Sequence, residues 1–115
     1  MAESPLERIQ AQFTRTADVY ARMRQTSDER LHAALVALLD PPPAARALDV
    51  ACGPGFLTLA LARRCGEVIG LDATDALLDL ARAEATRLGL SNVRFEQGDA
   101  EALPFAGASF ERVTC

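Results

Sequence analysis

The sequence predicts an α/β fold on a parallel sheet, entered from an all-helical N-terminal segment. The triple proline Pro41-Pro42-Pro43 marks the boundary, since it ends any helix that reaches it. Beyond it, short apolar runs alternate with helical patterns to the last residue. Strand–helix–strand order of this kind pairs in parallel through right-handed crossovers.

In chain order, Ser4-Pro5-Leu6-Glu7 reads as a helix start. Ser4 caps, Pro5 suits the first helical position, and Glu7 completes a capping box. This helix is expected to reach about Thr16 and to continue, with breaks, towards Arg24. Thr26-Ser27-Asp28-Glu29 is a second start. After it Leu31, Ala34, Leu35, Leu38 and Leu39 recur at helical intervals as one apolar stripe. Residues 1–43 thus form a helical cap segment, and residues 44–115 form the α/β unit. The first strand is Ala47 to Ala51, turned by Gly53-Pro54-Gly55 into a helix over roughly Phe56 to Arg64. The second strand is Glu67 to Asp72. Thr74 then caps a helix with Leu77, Leu78, Ala81, Ala85 and Leu88 on its buried side, and Gly89 ends it. Val93 to Glu96 alternates as a half-exposed third strand, and Phe110 to Cys115 is a fourth.

Composition narrows the class. A chain of 115 residues holds one domain at most, and with 50% apolar and 24% charged residues it reads as globular. No apolar run approaches the roughly 20 residues of a membrane span. The N-terminus has neither the positive region nor the apolar core of a signal peptide, so a cytoplasmic location is expected. A formal charge of −4 argues against a nucleic-acid partner. Every basic residue is Arg, which excludes Lys-dependent chemistry such as a Schiff base or a P-loop. Cys52, Cys65 and Cys115 suit neither a disulfide framework nor a zinc site. His32, the sole histidine, reads as a helix-face residue.

Three features fall where successive strands should end, the place where open α/β sheets bind ligands. The first is Asp49-Val50-Ala51-Cys52-Gly53-Pro54-Gly55. Its glycines permit a tight turn and a close backbone approach, and the next helix opens with unpaired N–H groups. Any tight strand-to-helix turn uses glycines in the same way. The second is Asp72, 17 positions beyond Gly55, placed to accept hydrogen bonds from ribose hydroxyls. Its alternative role is the cap of the next helix, which Thr74 already fills. The third is Gly98-Asp99-Ala100, where a carboxylate beside a backbone N–H matches one edge of adenine. An ordinary solvated loop Asp is the alternative there. Together the three describe a bound adenosine.

Two adenosine ligands compete. A dinucleotide fingerprint needs a third glycine, where this chain has Thr58. Asp49 would also repel a pyrophosphate, whereas it would favour a ligand with an ammonium and a sulfonium. That choice of charge selects S-adenosylmethionine.

Ala47 to Gly55 resembles motif I of the class I methyltransferases, and Val68 to Asp72 resembles their next motif. Asn92 to Cys115 is similar to the family segment Asn-Val-x-Phe-x-x-Gly-Asp-Ala-x-x-Leu-Pro-Phe, then Ser-Phe-Asp-x-Val, in its ubiquinone/menaquinone-biosynthesis form. Phe13, Ala17 and Tyr20 resemble that group's Phe-x-x-x-Ala-x-x-Tyr helix, which folds over the cofactor. The resemblance implies a Rossmann-like fold and methyl transfer from S-adenosylmethionine to a small-molecule acceptor. It implies that the loop Ala51 to Gly55, Gly53 included, holds the methionine end, where the Asp49 charge would help, and that Asp72 binds ribose. Ala73 and Leu77 would flank adenine, Asp99 and the Ala100 N–H would read its edge, and Tyr20 would belong to the lid. Glu111 stands where the family has Asp.

The family sheet runs 3-2-1-4-5-7-6, so this chain is expected to hold an incomplete sheet of about four strands. It should bind cofactor without catalysing transfer, with the acceptor pocket and any catalytic residue lying outside it. Its fourth strand is expected to offer an open edge for pairing with another copy. The competing expectation is a non-catalytic cofactor-binding or self-associating fragment.

Overall fold

A computed structural model describes residues 3–11, 28–105, 107 and 109–115 of the chain. Residues 5–11 are helical (α1). Their start is the expected capping box: the Glu7 N–H donates to Ser4 Oγ (3.1 Å) and the Ser4 N–H to Glu7 Oε2 (3.0 Å). Then come α2 (Glu29–Leu39), β1 (Arg46–Val50), α3 (Phe56–Ala62), β2 (Glu67–Asp72), α4 (Asp75–Arg87), β3 (Val93–Gln97) and β4 (Arg112–Thr114). All pairings are parallel and the strand order is β3-β2-β1-β4, so the predicted parallel α/β architecture is the observed one.

The two sheet faces follow from strand alternation. Ala47, Val68 and Phe95 point towards the helices, where they meet Val36, Leu61, Ala62, Leu78, Ala81 and Ala85. Leu48, Val50, Ile69 and Leu71 face the other way, with Phe105 and Phe110 packed on them. All four of these aliphatic residues are buried. Asn92 fixes one crossover, because its side-chain amide donates to the Ala62 and Cys65 carbonyls (2.7 and 2.9 Å) and satisfies the end of α3.

Helix α2 departs from expectation in the face it buries. The start signal placed the helix correctly, but its cap-and-glutamate spacing pointed to Thr26, and the residue that caps is Asp28, which accepts from the Arg30 and Leu31 N–H groups. Yet Leu31, Leu35 and Leu38 are exposed, and the buried residue is Val36. The helix is rotated by its attachments. Arg112 donates to the Leu39 and Asp40 carbonyls (2.7 and 3.2 Å), and His32 stacks on Phe56 with ring centroids 5.9 Å apart. Those contacts select the His32–Val36–Leu39 face over the richer leucine stripe.

Candidate functional site

A cavity of about 530 Å³ lies at the carboxyl ends of β1, β2 and β3. Each strand contributes one of the three features singled out in the sequence. Ala51, Gly53, Asp72, Ala73, Leu77, Asp99 and Ala100 all line it. Cys52, Pro54, Phe56, Leu71, Thr74, Gly98 and Ile9 of α1 complete the described wall.

The β1–α3 loop is shaped by three consecutive alternate positions in the left-handed region: Ala51 (φ 55°), Gly53 (φ 58°) and Gly55 (φ 87°). The two glycines serve different ends. No atom lies within 4 Å of where a Gly53 Cβ would stand, so the main chain there is open to a ligand. A Gly55 Cβ would stand 2.9 Å from Ala81 Cβ and 3.2 Å from the Phe95 ring. Gly55 therefore lets α3 begin close against α4 and does not line the cavity.

Asp72 occupies the junction of the loops. Its Oδ1 accepts from the Gly53 N–H (3.2 Å) and its Oδ2 from the Thr74 N–H (3.0 Å). Thr74 is the N-cap of α4 by position, but its side chain makes no capping bond. Asp72 therefore both ties the loops and keeps lone pairs for further donors, since a carboxylate has about four acceptor sites. Asp99 is braced similarly, Oδ1 accepting from the Glu101 N–H (2.9 Å).

Asp49 lies behind this wall, 4% exposed. Thr58 donates to its Oδ2 (2.7 Å) and Thr114 to its Oδ1 (3.0 Å), joining β1 to α3 and β4. Burial pushes its carboxyl above the ordinary range; the two hydroxyls oppose that, and the Asp72 charge adds to it. Thr58, at the missing third glycine, thus has a positive role in holding the acid. Cys52 lines the cavity, yet burial, reinforced by Asp49 and Asp72, raises its thiol to about 12. At neutral pH it is no nucleophile.

Tyr20, with Phe13 and Ala17, lies outside the described residues. Glu111 explains itself: its Oε2 accepts from the Arg46 N–H (2.7 Å) while its own N–H donates to the Arg46 carbonyl (2.9 Å). The longer acid closes a ring across the start of β1. Thr114, Gln10 and Gln97 escape sequence reading, and Thr58 stood out only as a missing glycine, because uncharged polar side chains carry no pattern of their own. A second cavity of about 380 Å³ lies beneath α2, between His32, Phe56, Arg63 and Leu88, away from the strand ends. Among the described residues no cluster suited to a metal ion exists. No helix among them is long and apolar enough to cross a membrane.

A four-stranded parallel sheet with helices between its strands, and a glycine loop and two acids at adjacent strand ends, has the Rossmann-like α/β architecture. Comparison with known proteins narrows this. Residues 47–115 match the methyltransferase domain family, and the chain belongs to it. The demethylmenaquinone methyltransferase of Bacillus cytotoxicus is 34% identical over 99% of this chain and 51% of its own length. A 23S rRNA (uracil(1939)-C(5))-methyltransferase of Alkalilimnicola ehrlichii is 45% identical over 66% of this chain and 18% of its own. The crystal structure of YcgJ from Bacillus subtilis superposes with a TM-score of 0.71 at 37% identity, covering 75% of this chain and 37% of that one. This chain therefore spans about half the length of the demethylmenaquinone enzyme, and less of the others.

Proposed function

We propose that this chain binds S-adenosylmethionine and forms the cofactor half of a methyltransferase acting on a small-molecule acceptor. In this reading residues 44–115 are the cofactor unit and residues 1–43 its helical cap. The observation that carries it is the single cavity shared by the open Gly53 backbone, the Asp72 carboxylate and the Asp99–Ala100 loop. Asp72 would accept the ribose hydroxyls on the lone pairs that Gly53 and Thr74 leave free. Ala73 and Leu77 offer an apolar clamp for a purine, and Asp99 with the Ala100 N–H offers an acceptor and a donor for its edge. Asp49, one layer behind, gives the loop a negative field that suits a cationic ligand better than a pyrophosphate.

Bound there, the cofactor supplies a methyl group with its own leaving group. The residues present contribute binding and orientation, which is the larger share of such catalysis. A small acceptor is favoured over a nucleic acid on two grounds. A relative matched along 99% of this chain is a demethylmenaquinone methyltransferase, whereas the rRNA enzyme matches 66% of it. The net charge of −4 disfavours phosphate backbones. Three free cysteines fit a reducing compartment such as the cytoplasm.

Calorimetric titration with S-adenosylhomocysteine and, separately, NAD tests the cofactor. Tighter binding of NAD overturns the assignment. A turnover assay beside it distinguishes a catalytic chain from a cofactor-binding one.

A further inference from the structure

Ala73 stands between Asp72 and α4 and lines the cavity. Its carbonyl oxygen accepts two side-chain amides, Gln97 Nε2 at 3.0 Å and Gln10 Nε2 at 2.6 Å. A carbonyl has two lone pairs, so these donors fill it. The donors are held very differently. Gln97 ends β3 and is in register with Asp72 itself, so it travels with the loop. Gln10 belongs to α1, 63 residues away in sequence. Its neighbour Ile9 lines the same cavity while remaining 51% exposed, so little apolar burial holds that turn down.

We propose that Gln10 is a latch holding α1 over the ligand cavity, and that Gln97 sets the cost of releasing it. Both are positioning residues. When α1 lifts, the Gln10 bond to this carbonyl gives way to water while the carbonyl keeps Gln97, so that oxygen retains a protein partner. Without Gln97 the same movement strips a part-buried carbonyl of its remaining protein partner. The two glutamines therefore act in opposite directions on one equilibrium. The role in ligand retention rests on the cofactor reading above; the latch itself does not.

Two measurements on the full chain test this. The first is amide hydrogen exchange of residues 5–11 without ligand, with residues 75–87 as the internal control for global loosening. The second is stopped-flow dissociation of S-adenosylhomocysteine. Gln10→Ala and Gln10→Glu should speed exchange in residues 5–11 alone and speed dissociation about two- to twelvefold, the worth of one neutral hydrogen bond. Gln97→Ala should slow both. A merely structural role would make both substitutions loosen α1, and that result, or unchanged exchange in the Gln10 variants, overturns the latch. Failure of the unaltered chain to bind S-adenosylhomocysteine would instead sink the cofactor reading, while the exchange measurement still decides the latch.

Discussion

Asp72 and Asp49 show how one residue type takes different work from its depth. Asp72 borders the cavity and braces two loops through backbone N–H groups. Asp72→Ala should weaken S-adenosylhomocysteine binding by roughly 1.5–3 kcal/mol, about a 10- to 150-fold loss. Asp75→Ala, in the first turn of α4, is the control and should change affinity little. Equal effects would show that Asp72 is not the ribose ligand. Asp49 is buried with the Thr58 and Thr114 hydroxyls as partners, and its carboxyl is raised in the folded state. Between its unfolded and folded values the native protein therefore holds the extra proton, so this group lowers stability as pH rises through that window. Asp49→Asn removes the titration. Relative to the unaltered chain it should gain stability from about pH 4 upward, as seen in urea unfolding at pH 4 and pH 7. A relative loss over that range would contradict the raised carboxyl. Both acids were legible as strand-end residues. Which of them faces the cavity was not, because one step along a strand decides between a cavity wall and the layer behind it.

At the scale of elements, turn and cap chemistry was readable and packing faces were only partly so. The capping box of α1, the start of α2 near Asp28 and the glycine at the end of α4 are local matters, set by neighbours within a few residues, whereas the expected Thr74 side-chain cap does not form. The burial of α4 on Leu77, Leu78, Ala81 and Ala85 also followed its periodicity. The rotation of α2 did not, since contacts from Arg112 and Phe56 fix it. Gly70 shows the same dependence on distant chain. A Cβ there would stand 2.7 Å from the Phe95 ring and 3.0 Å from Cys52 Sγ. Gly70→Ala should destabilise the sheet by about 1–3 kcal/mol through overpacking. Phe95→Leu in the same chain should recover part of it, giving a coupling of about 0.5 kcal/mol or more in a double-mutant cycle. Strict additivity by urea unfolding would mean that the ring is not what Gly70 accommodates.

For the molecule as a whole, the sheet edges differ in kind. The β3 edge carries the Arg94–Glu96 ion pair (3.1 Å), the sort of charge that discourages pairing between chains. The β4 strand pairs with β1 alone among the described residues, and its Val113 is 58% exposed. Self-association of this chain is therefore expected at β4, rising with concentration. Light scattering after size exclusion should show dimers or larger species, and Val113→Lys should shift them towards monomer. A monomer at every concentration would refute the expectation.

By itself the sequence determined the alternation of strands and helices, the capping box of α1, the helix ends and the three strand-end features, because each rests on local backbone preference or on a repeat of 2 or 3.6 residues. The tertiary structure alone decided which partners those features share. It turned Asp49 to Thr58 and Thr114, gave Asp72 the Gly53 and Thr74 amides, and brought Gln10 to a carbonyl 63 residues away. Such contacts join residues far apart in the chain, and their geometry exists only once the parallel sheet has set β1, β2 and β3 side by side.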